Sequence, residues 1–179
     1  MTAFFSENIN LIAQIIGFIA MFTAFLTYQL NKHKTIMIVL VIVASLWCVH
    51  FALLGQYTAV ALNAVNVIRC VIYSFRYKKW AQYNFIPLIF IVISAIMTAV
   101  TWEGFISLLP FFGCVFVTLA NWQVNTKKLK LLTIPVCLCW FVYNFSCGSW
   151  AGMINETIAF ASIIISLVRD KIQSNKLKS

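Results

Sequence analysis

Apolar runs separated by short polar clusters fill this chain, falling at residues 9–30, 35–54, 57–77, 84–101, 105–122, 129–147 and 149–169. A helix rises about 1.5 Å per residue and the hydrocarbon core of a bilayer is about 30 Å thick, so runs of this length predict seven transmembrane helices. The breaks carry turn chemistry. Gly55-Gln56-Tyr57, Glu103-Gly104 and Gly148-Ser149 predict tight hairpins after spans two, four and six. Within span three, Asn63, Asn66, Cys70 and Tyr73 recur at helical spacing and make a weakly polar stripe on an apolar helix.

The pattern repeats. Tyr28-Gln29-Leu30-Asn31-Lys32-His33-Lys34 returns as Trp122-Gln123-Val124-Asn125-Thr126-Lys127-Lys128 at an offset of 94, and Trp47 to Lys78 aligns with Trp140 to Lys171 at an offset of 93. Trp47, Gly55 and Arg76 thus match Trp140, Gly148 and Arg169. Residues 9–79 read as one three-helix repeat, 84–101 as a linker helix, 105–171 as a second repeat and 172–179 as a cytoplasmic tail. A linker of one crossing makes the copies parallel, related by an axis along the membrane normal. Duplication for packing alone is the plainer alternative.

Composition agrees with an all-α integral membrane protein in a single domain, residues 1–179. Hydrophobic residues make up 63% and charged residues 9%, with a mean hydropathy of +0.94. Glu7 rather than a basic cluster precedes the first run, and no small-residue cleavage site follows it, so this run is expected to be retained as a span. Alternate loops hold Lys32, Lys34, Arg76, Lys78, Lys79, Lys127, Lys128, Lys130, Arg169, Lys171, Lys176 and Lys178, twelve of the 13 basic residues, while the opposite loops carry Glu7 and Glu103. Basic residues in short loops mark the cytoplasmic side, which puts the N-terminus outside and the C-terminus in the cytoplasm. The net charge of +9 is therefore a topology signal facing the lipid bilayer, and no nucleic-acid partner is expected. The six cysteines lie within or at the ends of apolar runs and read as small packing residues. No span shows metal-ligand spacing, no Gly-x-Ser-x-Gly elbow occurs, and the one carboxylate inside a span lacks a second for acid/base work, so neither an enzyme nor a cofactor is expected.

That carboxylate is Glu156, at the position matched by Asn63 and about 10 Å into its span. An ionisable group at such depth is costly unless neutral, paired or wetted, and it marks a ligand or proton site or a buried pair. Arg69, about 8 Å lower on span three, is the available partner. Trp47 and Trp140 stand at mid-span, away from the interfaces where tryptophan commonly anchors, and serve either core packing or as platforms for a solute. His50, matched by Tyr143, is either a packed, bonded side chain or a proton relay.

The 3+1+3 plan resembles the SWEET sugar transporters and their wider PQ-loop superfamily over nearly the whole chain. In that superfamily a Pro-Gln pair closes the first helix of each repeat; here Tyr28-Gln29 and Trp122-Gln123 keep the glutamine, and Pro110 and Pro135 are the available sources of bends. The resemblance implies a solute pocket at Trp47, Asn63, Trp140 and Glu156; Asn66, on the polar stripe of span three, is expected to line it as well, and Gln29 and Gln123, at the cytoplasmic ends of spans one and five, are expected to anchor a gate or hinge. More narrowly, the chain resembles the YgjV-type family of bacterial inner-membrane proteins, which implies a multi-pass inner-membrane location. The expected function is transport of a small solute, sugar-like or otherwise polar or cationic, by alternating access. The alternative is a non-transporting membrane receptor or trafficking protein, and self-association as a homo-oligomer is left open.

Overall fold

The computed structural model describes residues 2–26, 30, 33–123 and 125–176. Among them the apolar runs form seven α-helices and no strand: α1 (Thr2–Leu26), α2 (His33–Leu53), α3 (Tyr57–Ser74), α4 (Ile86–Val100), α5 (Leu108–Trp122), α6 (Thr126–Ser146) and α7 (Trp150–Lys176). Short 3-10 turns at Lys79–Gln82 and Phe105–Ser107 precede α4 and α5. All but α4 are long and apolar enough to cross a membrane, α5 together with its 3-10 turn.

Local chemistry sets the ends. Asn125 starts α6, its side-chain oxygen accepting from the N–H groups of Lys127 at 2.9 Å and Lys128 at 3.2 Å. Pro110, expected to bend a span, sits in the first turn of α5, where its missing N–H costs no helical bond; Pro135 lies inside α6. Helix α7 runs on to Lys176, and a 2.6 Å ion pair from Lys130 Nζ to Asp170 Oδ2 ties that end of α7 to α6.

Gly55 and Gly148 close their hairpins at φ 72 and φ 68, and a Cβ at either would meet no atom within 4 Å. The demand there is conformational rather than spatial. Gly148→Ala is expected to cost about 1 kcal/mol and to lower the unfolding temperature accordingly; an unchanged transition would show that the turn relaxes freely.

Sequential neighbours pack together, α1 on α2, α2 on α3, α5 on α6 and α6 on α7; contacts of α3 with α5 and of α1 with α7 then close the six long helices into a ring. Helix α4 lies against α3 and α5, with Leu88, Ile89, Val92, Ile93 and Ile96 exposed on its outer face. At one end of the bundle the start of α3, the end of α4 and the start of α5 meet. The Thr58 hydroxyl donates to the Thr101 carbonyl and lies 3.2 Å from the Ser107 hydroxyl, and the Glu103 carboxylate accepts the Tyr57 N–H at 2.8 Å. At the opposite end Arg76, just past α3, donates at 2.9 Å to the carbonyl of Trp122, the last residue of α5. Helices α3 and α5 therefore run parallel, and α4 crosses back between them.

Candidate functional site

The ring encloses a cavity of about 960 Å³. Helix α2 contributes Trp47 and Phe51, one turn apart; α6 contributes Trp140 and Asn144, also one turn apart. Asn63, Asn66 and Cys70 of the polar stripe of α3 face inward, joined by Arg69, while its fourth member, Tyr73, packs on Phe90 of α4 and Trp122 of α5; α7 presents Asn155 and Glu156. The five residues expected to hold a solute, Trp47, Asn63, Asn66, Trp140 and Glu156, thus line one space.

One end of the cavity is shut by aromatic rings. The Phe51 ring lies 5.8 Å from both the Trp47 and the Trp140 rings and 6.1 Å from that of Tyr143. Leu54, Val60, Ile106 and Leu109 pack around this cluster. The half-buried indoles pack against this cluster and also present surface to the cavity. The other end is rimmed by Arg76, Tyr77, Gln123 and Leu129, and with Tyr77 65% exposed the cavity opens there. The Arg76 guanidinium stacks 4.2 Å over the Trp122 ring. Gln123 ends α5 and donates through Nε2 to the Leu119 carbonyl at 3.2 Å, while Gln29 lies outside the described residues.

Missing side chains make room for the wall. A Cβ on Gly113 of α5 would stand 2.6 Å from Trp140 Nε1, and one on Gly152 of α7 would stand 2.4 Å from Asn144 Oδ1. Small residues let α5 and α7 close on the large side chains of α6, as they do in membrane bundles generally.

The Arg69–Glu156 ion pair offered by the sequence does not form. Arg69 is fully buried, donates to the Thr118 hydroxyl on α5 and, at 2.7 Å, to Asn66 Oδ1, and has no partner at Nε. Glu156 Oε1 accepts from Asn155 Nδ2 at 3.0 Å, with Cys137 of α6 beside it. The two groups enter from opposite sides of the ring, and Thr118 draws the guanidinium toward α5.

His50 lies fully buried in the wall between α1, α2 and α7, apart from the cavity lining, as a packed and hydrogen-bonded side chain. Its Nδ1 lies 2.7 Å from the Ala13 carbonyl, which can only accept, so Nδ1 carries the proton. Nε2 then accepts from the Ser149 hydroxyl at 2.7 Å, whose oxygen in turn accepts the Gly152 N–H at 3.2 Å.

Phe51, Asn144 and Asn155 line the cavity and Thr118 holds Arg69 from behind it, and sequence reasoning singles out none of the four. Phe51 and Asn144 follow Trp47 and Trp140 by four residues, a helical spacing that signals a shared face. Asn155 adjoins Glu156. Thr118 carries no such signal, since its partner is 49 residues away.

The family Imp-YgjV, described as bacterial inner membrane protein, matches residues 11–174. Inner membrane protein YgjV of Escherichia coli (strain K12) is 27% identical over 154 residues, 86% of this chain and 79% of that protein. No solved structure matches.

Proposed function

The chain belongs to the YgjV family of bacterial inner-membrane proteins, and from that premise we propose that it carries a small polar solute across the inner membrane by alternating access. The observation that carries the reading is the cavity of about 960 Å³ inside a ring of membrane-spanning helices, walled by amides, two arginines, a carboxylate and two indoles. Packing alone gives no reason to keep such groups inside a bilayer, where polar side chains by default mark a solute path.

Internal symmetry supports it. On this reading α1–α3 and α5–α7 are parallel repeats joined by α4, a plan that resembles the SWEET and PQ-loop transporters. The offset of 93 carries His50 to Tyr143 and Gln56 to Ser149. The His50–Ser149 bond at 2.7 Å and the Tyr143–Gln56 bond at 3.1 Å are then one contact made twice in exchanged senses, as a two-fold axis requires. The same exchange swaps the α3–α5 contact for the α1–α7 contact. With basic loops in the cytoplasm, the N-terminus lies outside, the rim of Arg76, Tyr77 and Gln123 faces inward, and the aromatic cluster is the closed outer gate.

Flux into proteoliposomes tests the reading with a panel of sugars, amino acids and polyamines. At least one solute is expected to enter, and Trp140→Ala is expected to slow it by about tenfold, the effect of losing about 1.4 kcal/mol of stacking. No flux of any solute through folded protein would overturn transport and favour the non-transporting receptor.

A further inference from the structure

We propose that the solute is a small zwitterion held between Arg69 and Glu156, its carboxylate toward Arg69 and its ammonium toward Glu156. The inference rests on the transport reading above and narrows it to a substrate class.

Arg69 is the starting point. Its guanidinium is fully buried and borders the cavity, yet its protein partners are the neutral oxygens of Thr118 and Asn66, and its Nε has none. A buried cation without a counter-charge is unstable, and an anionic group entering the cavity would supply one. Across the ring, Glu156 is the one carboxylate among the described residues that lines the same cavity, and its neighbours there are the amide of Asn155 and the thiol of Cys137. Charges of opposite sign thus border one space without meeting.

Solute classes divide on this arrangement. A sugar leaves both charges without a counter-ion; a simple cation serves Glu156 and leaves Arg69 bare; a simple anion does the reverse. A molecule with both charges answers both, through charge-assisted hydrogen bonds at each end. Its direction follows from the surroundings. The indoles of Trp47 and Trp140 stand toward the closed end, where aromatic faces favour the ammonium, whereas Arg76 adds positive charge at the open rim, on the carboxylate's side.

The test uses purified full-length protein in lipid nanodiscs, with binding of the twenty standard amino acids, glycine betaine and a sugar panel read by thermal stabilisation. For the tightest amino acid, the corresponding amine and the corresponding acid are then compared; for leucine these are 3-methylbutylamine and 4-methylpentanoate. At least one zwitterion is expected to bind, and each singly charged analogue at least about tenfold more weakly, one lost charge-assisted bond being worth about 1.5–3 kcal/mol. Glu156→Gln keeps a side chain able to bond Asn155. It is expected to weaken the zwitterion and bring the acid analogue level with it, a change of ratio that a merely structural Glu156 would not produce. Arg69→Gln is expected to level the amine in the same way, and if that variant does not fold, the Glu156 arm decides alone. Binding and flux of sugars with no zwitterion bound would overturn this inference and leave transport standing, as would an acid analogue equal to the zwitterion on unmutated protein. Absence of binding and flux for every solute would overturn both.

Discussion

His50→Ala is expected to lower the unfolding temperature of the detergent-purified protein by about 6 °C or more, corresponding to about 3 kcal/mol. The imidazole ties three helices together: it stands on α2, donates to Ala13 of α1 and accepts from Ser149 at the start of α7, both at 2.7 Å. Alanine would leave the Ala13 carbonyl without its side-chain donor, deprive the Ser149 hydroxyl of its acceptor, and open a void where a fully buried ring packs. Tyr143→Phe removes a single 3.1 Å bond to Gln56 and is expected to cost about 1 kcal/mol. Because His50 and Ser149 share one bond, the double change to alanine should cost less than the two single changes summed. Thermal melts followed by circular dichroism measure all four variants. A His50→Ala melt within a degree of the parent would mean that this tie does not hold the ring.

Gly113→Leu is expected to reduce solute flux by more than tenfold, a loss above about 1.4 kcal/mol in the rate-determining interactions. Even a Cβ at residue 113 would come within 2.6 Å of Trp140 Nε1 and 2.8 Å of its Cδ1, so a leucine must drive the indole from its place in the cavity wall. The clash is with a side chain, and removing that side chain should relieve it. Gly113→Leu/Trp140→Ala is therefore expected to regain the unfolding temperature lost by Gly113→Leu while flux stays low. Flux at the parental rate in Gly113→Leu would place Trp140 off the solute path.

Much of this architecture is legible in the sequence. The period of apolar runs located all seven helices to within a few residues at most ends, because burial in lipid requires long unbroken apolar segments. Glycines at 55 and 148 mark hairpins because few other residues adopt φ near 70°. Of the stripe Asn63, Asn66, Cys70 and Tyr73 that helical spacing marks, the first three line the cavity, whereas Tyr73 is buried against Phe90 and Trp122. What stayed hidden lies between elements distant in sequence. Nothing local to Arg69 indicates that Thr118 rather than Glu156 would hold it, and nothing near His50 points to partners at residues 13 and 149. Likewise nothing near Lys130 points to Asp170, the partner 40 residues on that ties the far end of α7 to α6.

Helix α4 has a consequence for the lipid around it. Its 15 residues rise about 22 Å, against about 30 Å of hydrocarbon. Exposed aromatic residues flank it, Trp80, Tyr83 and Phe85 before and Trp102 and Phe105 after, and such rings settle at headgroup level. On the transport reading α4 is the single crossing that links the repeats, and a crossing this short is expected to thin the bilayer along that one side, at a strain that grows with acyl-chain length. Since α4 packs on both α3 and α5, membrane thickness would then bear on the seam between them, making the host lipid a mechanical setting of the protein.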